Sequence, residues 1–150
     1  MKRFILSAAL AFATLPAFAA DPTEAVRFFY NDPGSELSTD NRGRFTGKAK
    51  DVLDAADKEA ESDNGPCIDF MLSVDGQDFD DDELKKSLNL AGAIAGNTAT
   101  VKATFKQFGE DAEIIWSLEK AGDDWKISDI ASVKNEWKLA DIDCSPIPAQ

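Results

Sequence analysis

The sequence predicts an α+β domain in which two N-terminal helices pack on a curved antiparallel sheet of about four strands. In residues 21–31 and 46–61, apolar side chains recur at helical spacing. In the second half of the chain they alternate instead, and turns at Gly96 and Gly122 divide the alternating residues into two hairpins. Helices followed by consecutive hairpins are typical of the α+β class.

The first residues have the composition of a secretory signal. Two basic residues precede an apolar run from Phe4 to Leu15, and Ala17-Phe18-Ala19 forms a small-residue cleavage site. We therefore expect residues 1–19 to be removed and residues 20–150 to form one domain; a retained anchor helix is the alternative. No later apolar run approaches the roughly 20 residues that span a bilayer. The mature chain is expected to be soluble, periplasmic or secreted, with no membrane insertion.

The composition is strongly acidic. The chain has 16 Lys plus Arg against 28 Asp plus Glu, and removal of the signal takes away two of the basic residues. The resulting charge near −14 repels nucleic acid and anionic lipid, so we expect no nucleic-acid partner. Solubility alone can explain such acidity. The alternative is a surface that binds a basic partner protein.

Cys67 and Cys144 are the two cysteines of the chain. An exported protein meets an oxidising compartment, so we expect a disulfide between them; a pair of unbridged thiols is the alternative. The bridge would close a long loop, which the chain-entropy treatment values at roughly 4 kcal/mol. Two cysteines without a histidine fall short of the four ligands of a structural zinc site.

The first predicted helix covers residues 21–31, DPTEAVRFFYN, and Asp21 or Thr23 can cap its start. Its apolar stripe consists of Ala25, Val26, Phe29 and Tyr30. The second predicted helix has a similar apolar stripe, with Lys and Asp on its other face. Residues 32–44 between the helices are rich in Gly, Ser, Asp and Asn. We expect them to form a mobile loop that arches over the sheet edge.

Residues 75–83, DGQDFDDDE, are dense in acidic side chains and predict an exposed loop that leads into a short helical turn. Clustered carboxylates suggest calcium, but an EF-hand loop needs acids at alternate positions and a terminal Glu at the twelfth. The run is better explained as a helix start, where carboxylates favour the positive end of the helix dipole. We expect no metal and no cofactor.

Residues 88–94 and 98–108 predict the first hairpin, with its turn at Gly96. Apolar residues alternate clearly in the second of these segments and loosely in the first. The alternative is a helix from Asp82 to Ala95, which Gly92 and Gly96 weaken because glycine lowers helix stability.

The second hairpin, residues 112–133, is predicted to form the middle of the sheet. In a simple ladder about its turn, Leu118 faces Ile127 and Trp116 faces Asp129. The face that we expect to be the core then carries Ile114, Trp116, Leu118, Trp125 and Ile127.

Four sequence stretches carry a family resemblance: the helix with FFY, the IDF and GQDFDD segment, the strand TATVKATF and the hairpin GDDWKISDI. Their order is similar to that in exported bacterial proteins catalogued as domain of unknown function 3828. Those proteins look like members of the cystatin-like, nuclear-transport-factor-2-like superfamily. The resemblance spans roughly residues 23–133. It implies a cone-shaped fold with a possible pocket and no established activity.

The chain contains no histidine. This excludes Ser-His-Asp and Cys-His nucleophile pairs and histidine-ligated metals. The superfamily resemblance implies one carboxylate pattern, because ketosteroid isomerases pair an acid with a phenol inside the cone. Tyr30 and Asp129 are the candidates for that pair, and with Trp116 and Trp125 they outline a candidate ligand pocket. Alternatively, Tyr30 and Asp129 bond to the backbone or to each other, and the tryptophans fill the core.

We interpret the chain as an exported, non-enzymatic binding or interaction module. It is either a pocket binder of an unknown small ligand or an acidic protein that masks a basic partner protein. The alternative is a small carboxylate-dependent isomerase or lyase that uses Asp129 and Tyr30. A deep cone would favour the enzyme, whereas a cone plugged by Phe28, Trp116 and Trp125 would favour the interaction protein. The sequence leaves the oligomeric state open.

Overall fold

The structure, a computed structural model, describes residues 20–62 and 65–144 of the chain. Its centre is an antiparallel sheet of five strands in sequential order. The strands are β1 (Asn89–Ala95), β2 (Thr98–Gln107), β3 (Glu110–Ala121), β4 (Asp124–Ser132) and β5 (Trp137–Lys138). The signal predicted for residues 1–19 lies outside the described residues.

The sheet has one strand more than the roughly four that the sequence predicts. The additional strand is β5, in which Trp137 pairs with Ser132 at the end of β4. Two residues are too short a segment to show alternation, so periodicity could not indicate this strand. The predicted α+β class, with N-terminal helices and an antiparallel sheet, is confirmed.

Three α-helices are formed by the described residues: α1 (Pro22–Tyr30), α2 (Gly47–Ala60) and α3 (Asp81–Ser87). Both predicted N-terminal helices are confirmed, and the side chain of Asp21 caps α1 by accepting a hydrogen bond from the Thr23 N–H at 2.9 Å. α1 packs against β1, β2 and β4. None of the described helices is long and apolar enough to cross a membrane.

The helix considered as an alternative for residues 82–95 is wrong over most of its length. The chain is helical only to Ser87, and β1 begins at Asn89. The first hairpin is confirmed, with Val101, Ala103 and Phe105 buried on the inner face of β2.

The central hairpin has the predicted inward face but not the predicted register throughout. Leu118 pairs with Ile127 as expected, whereas Trp116 pairs with Ile130 instead of Asp129. A β-bulge between Ser117 and Leu118 shifts the register by one residue. Because of this shift, Ile130 rather than a carboxylate points into the core, where it is fully buried.

Residues 32–44 do not form the expected irregular loop. They contain two 3₁₀ segments, Ser35–Leu37 and Thr39–Arg44. Glu36, within the first segment, is fully buried, and its carboxylate accepts hydrogen bonds from the N–H of Ser73 at 2.8 Å and of Gly34 at 2.9 Å. The prediction failed because a buried acid with main-chain partners has the same sequence signal as an exposed one.

The predicted disulfide between Cys67 and Cys144 is present, with an S–S distance of 2.02 Å and a Cα–Cα distance of 5.5 Å. It ties the segment after β5 to the segment after α2. Between β5 and the bridge, Leu139 is fully buried. The segment from Leu139 to Cys144 is therefore held in the packed part of the fold at both of its ends.

Candidate functional site

The turn between β2 and β3 carries Phe108, the most exposed of the described large apolar residues. Phe108 is 63% exposed and adopts a φ of 52°. Gly109 follows it with a φ of 82°. Phe108 and Gly109 form a two-residue hairpin turn between the paired residues Gln107 and Glu110, and such a turn requires positive φ at both positions, which is unfavourable for a bulky residue.

Helix α3 anchors this turn. Both carboxylate oxygens of Glu83 accept a hydrogen bond from the Gly109 N–H, at 3.0 and 3.2 Å. The Ser87 hydroxyl oxygen accepts another from the Lys106 N–H at 2.8 Å. These contacts hold both sides of the turn and fix the direction in which Phe108 projects.

The sequence explains why α3 forms at this place. The Asp80 side chain caps the helix by accepting a hydrogen bond from the Glu83 N–H at 2.9 Å, and acids fill the first turn. Leu84 is buried against the domain, whereas the side chain of Asp82 is 85% exposed. The prediction of an acidic helix start is confirmed.

Acidic side chains surround Phe108. Glu110 and Asp111 are exposed at the start of β3, and Glu110 has no salt bridge among the described residues. A second exposed apolar residue, Val133, lies at the same end of the sheet, where its N–H bonds to the Glu113 carbonyl at 3.4 Å. We call this surface the acidic tip: Asp82, Phe108, Glu110, Asp111, Glu113 and Val133.

The acidic tip is uneven rather than flat. Two open clefts of about 450 and 290 Å³ meet there and share Ala112, Glu113 and Lys134 in their walls. Val133 lines the larger cleft and Phe108 the smaller. An apolar projection beside clefts with charged rims resembles the anchor residues of protein interfaces, where aromatic side chains contribute much of the binding energy.

The charge of the tip is set partly by ion pairs: Lys102 lies 3.1 Å from Glu113, Lys86 lies 3.8 Å from Asp82, and a third pair involves Asp111. The Lys106 ammonium lies 2.9 Å from the Asp111 carboxylate. The hydrogen bond from Lys106 lowers the pKa of Asp111, and the same contact raises the pKa of Lys106. Both groups therefore stay ionised at neutral pH, and Glu110 is the acid of the tip that has no salt bridge among the described residues.

The candidate pocket residues Tyr30 and Trp116 lie together in the core. The Trp116 indole N–H donates a hydrogen bond to the Tyr30 hydroxyl at 3.3 Å, and Trp116 is fully buried. Phe29 stacks on Trp116 with ring centroids 5.4 Å apart, so Phe29 rather than Phe28 fills the space beside it. Burial raises the pKa of Tyr30 far above its usual value, which keeps the phenol neutral.

Asp129 has main-chain partners of its own. Its carboxylate accepts hydrogen bonds from the N–H of Ile130 at 2.9 Å and of Ala140 at 3.0 Å. It thereby holds the 3₁₀ segment Leu139–Asp141 against β4. The structure gives Asp129 and Tyr30 separate partners and does not join them.

Trp125 is 6% exposed, and its indole N–H donates to the Ala20 carbonyl at 2.7 Å. It lines an open cleft of about 550 Å³ together with Arg44, at the end of the sheet opposite the acidic tip. Of the four candidate pocket residues, Trp125 therefore borders open space, whereas Tyr30 and Trp116 fill the core.

Asp75 does not behave as part of an exposed acidic loop. Its carboxylate accepts hydrogen bonds from the Ser132 hydroxyl, from the Asn135 amide at 2.7 Å and from the Trp137 indole N–H at 2.6 Å. These contacts organise the turn between β4 and β5. Within residues 20–62 and 65–144, no group of three or more Cys, Asp or Glu residues is arranged to hold a metal ion.

Sequence reasoning missed Phe108 as a functional candidate. The available signal was an aromatic residue directly before a glycine at the end of an alternating strand, in Gln107-Phe108-Gly109. An apolar residue at a turn is expected to be exposed because the turn lies at the end of the sheet. The contacts from α3 that hold it, however, come from residues far away in sequence.

Comparison with known proteins gives a structural likeness. No protein-family model matches the chain, and no curated protein sequence matches it significantly. A chain of the type VI native effector-immunity complex Tae3-Tai3 from Ralstonia pickettii is 19% identical, with a TM-score of 0.54, over 77% of this chain and 96% of its own length. The selenomethionine form of that complex gives 19% identity and a TM-score of 0.53, over 75% and 97%. The two chains share the α+β fold.

Proposed function

We propose that this protein is an exported, non-enzymatic interaction module of the immunity type, which binds and masks a basic partner protein through the acidic tip. The observation that carries the proposal is the held conformation of Phe108. An exposed aromatic residue in a strained turn, fixed by Glu83, is prepared for contact with another surface.

Charge supports a basic partner. The chain is strongly acidic, and Glu110 adds an exposed carboxylate beside Phe108 that has no salt bridge among the described residues. Complementary charges speed the encounter of two proteins, while a central apolar anchor slows their dissociation. The likeness in fold to a chain of an effector-immunity complex supports an interaction role.

The alternatives have less support. A pocket binder needs space next to Tyr30 and Trp116. Phe29 occupies the space beside Trp116, where it packs against both Trp116 and Phe45. An isomerase or lyase needs Tyr30 and Asp129 near one substrate, and each bonds to a different partner. A phenol whose pKa is raised by burial is also a poor proton donor.

Three finer assignments belong to the same proposal. Cleavage after residue 19 and a periplasmic or secreted location are supported by the signal composition and by the Cys67–Cys144 disulfide. Membership of the family of unknown function 3828, with its cystatin-like cone, is supported by the order of the sequence stretches that resemble it. A folded five-stranded sheet with helices on it is compatible with such a cone.

Site-specific crosslinking in the source cell tests the proposal. A photoreactive phenylalanine analogue at position 108 should form an adduct with one basic protein of the cell envelope. The same analogue at position 123, in the exposed turn between β3 and β4 at the other end of the sheet, is the matched control. An adduct with that protein from position 123 alone, or with an acidic protein from position 108, would contradict the proposal.

A further inference from the structure

The two edges of the sheet differ in how they are protected. At one edge, β5 has only two residues, and the Phe70 ring packs on Trp137 with centroids 5.3 Å apart. At the other edge, β1 has seven residues, with no charged side chain, no proline and no bulge in its pairing with β2. Proteins usually block edge strands with such features, because an unpaired edge is a template for another strand.

Strand β1 is open to solvent along its length. Every residue of β1 except Leu90 is exposed, and Ile94 is 61% exposed. Helix α1 approaches only one face of the strand, at Gly92, where an added Cβ would lie 2.9 Å from the Thr23 methyl group. The helix therefore covers part of a face and leaves the edge unpaired.

The sequence of β1 is close to a palindrome. Leu90-Ala91-Gly92-Ala93-Ile94 has similar side chains at equal distances on either side of Gly92. Leu90, Gly92 and Ile94 pair with the buried residues Ala103, Val101 and Ala99, so they lie on the inner face of the sheet. Ala91 and Ala93 lie on the outer face.

Antiparallel pairing of two such strands, centred on Gly92, places similar side chains opposite each other. Leu90 of one copy then lies opposite Ile94 of the other on the inner face, and Ala91 lies opposite Ala93 on the outer face. A two-fold axis through the pair makes both halves of the contact identical, which is the requirement for a closed dimer. The contact also covers Ile94, one of the three large apolar side chains that the described chain exposes.

The distribution of charge also favours a second copy of this chain as the partner of β1. No charged residue occurs between Lys86 and Lys102, whereas the rest of the chain is dense in acid. Two copies of so acidic a protein repel each other over most of their surfaces, and a charge-free strand is where they can approach. A basic partner protein, in contrast, gains nothing from this strand and is attracted to acidic surfaces.

We propose that β1 pairs with β1 of a second copy, antiparallel and centred on Gly92, so that the two sheets join into one. The inference is independent of the acidic tip. The contact between two seven-residue strands is small, so the dimer forms at high protein concentration and dissociates on dilution.

Sedimentation velocity of the mature protein, from about 1 μM to about 1 mM, tests the proposal. The wild type should shift from monomer to dimer over this range. Ile94→Lys places a charge in the pair and should remain monomeric, as should Ala91→Lys on the outer face. Val133→Lys is the matched control: Val133 is 55% exposed, lies outside β1 and undergoes the same charge change.

The outcomes separate clearly when the fold of each variant is first verified by circular dichroism. A wild type that stays monomeric at about 1 mM overturns the proposal. So does a dimer that survives both Ile94→Lys and Ala91→Lys, or one that Val133→Lys disrupts equally. Loss of the dimer in the two β1 variants alone supports it.

Discussion

The Glu83 carboxylate accepts the Gly109 N–H with both of its oxygens, at 3.0 and 3.2 Å. The contact joins the first turn of α3 to the turn between β2 and β3, 26 residues away in sequence. The positive φ values of Phe108 and Gly109 are those that a two-residue hairpin turn between the paired residues Gln107 and Glu110 requires, and the Glu83 contact anchors this turn to α3. The acidic tip is therefore anchored by a helix that is not part of the sheet.

Glu83→Ala should make the turn between β2 and β3 more mobile, while it lowers the free energy of unfolding of the domain only slightly. A hydrogen bond to a charged group contributes about 1.5–3 kcal/mol when intact, and partial exposure of Glu83 places the cost at about 1 kcal/mol. Hydrogen exchange of the Gly109 amide should accelerate relative to wild type. Asp82→Ala, at the neighbouring exposed position, is the control and should leave that amide unchanged. Unchanged exchange in Glu83→Ala would show that the turn holds itself.

Trp125→Ala should destabilise the protein by about 3–5 kcal/mol, because a buried aromatic leaves a cavity when it is truncated. Phe108→Ala, at an exposed position, should cost less than about 1 kcal/mol. Denaturant unfolding of the two variants under the same conditions measures both values. Equal losses in the two variants would contradict the assignment of Trp125 to the core and Phe108 to the surface.

The disulfide should stabilise the chain substantially, because it links residues 77 apart. Replacing both cysteines, in Cys67→Ser with Cys144→Ser, should lower the free energy of unfolding by roughly 4 kcal/mol in the chain-entropy treatment. Intact mass of the exported protein after alkylation, with and without reduction, checks that the bridge forms in the cell. Two thiols alkylated without reduction would contradict it.

The buried acid Glu36 should give stability a characteristic pH dependence. Burial raises the pKa of its carboxyl above the ordinary value of 4.5, so the native state binds the proton more tightly than the unfolded chain does. The contribution of Glu36 to the free energy of unfolding therefore falls as pH rises from about 4.5 through the raised pKa. The free energies of unfolding of wild type and Glu36→Gln are measured between pH 4 and 8, in steps on the order of one pH unit, and their comparison isolates this contribution. The free energy of unfolding of the wild type minus that of Glu36→Gln should fall as pH rises, and a rise would contradict the expected sign.

The sequence predicted those parts of the fold that depend on local patterns. α1 and α2 follow from helical spacing and a cap at Asp21, and the inner face of β2 follows from alternation. The disulfide follows from composition and compartment. The predicted register of the central hairpin was wrong because a β-bulge shifts the pairing by one residue. The bulge depends on which residue packs in the core, and the buried residue is Ile130 rather than Asp129.

Polar side chains were the hardest to assign from sequence. Glu36 lies in a predicted loop, Asp75 in the acidic run and Asp129 in a predicted strand, and the sequence does not show which partners their carboxylates have in the fold. Their partners are main-chain N–H groups or distant side chains, such as Ser73 for Glu36 and Trp137 for Asp75. Such partners become visible only when the chain is folded.

The affinity of the captured partner for two charge-reversal variants tests the central proposal most directly. Glu110→Lys and Asp123→Lys change the same charge at exposed residues, the first in the acidic tip and the second at the opposite end of the sheet. We expect Glu110→Lys to weaken binding about tenfold at low salt, with a smaller effect at several-fold higher salt because ions screen exposed charges. Asp123→Lys should stay close to wild type. Affinity that is independent of salt, or equal losses in the two variants, would contradict binding through the acidic tip.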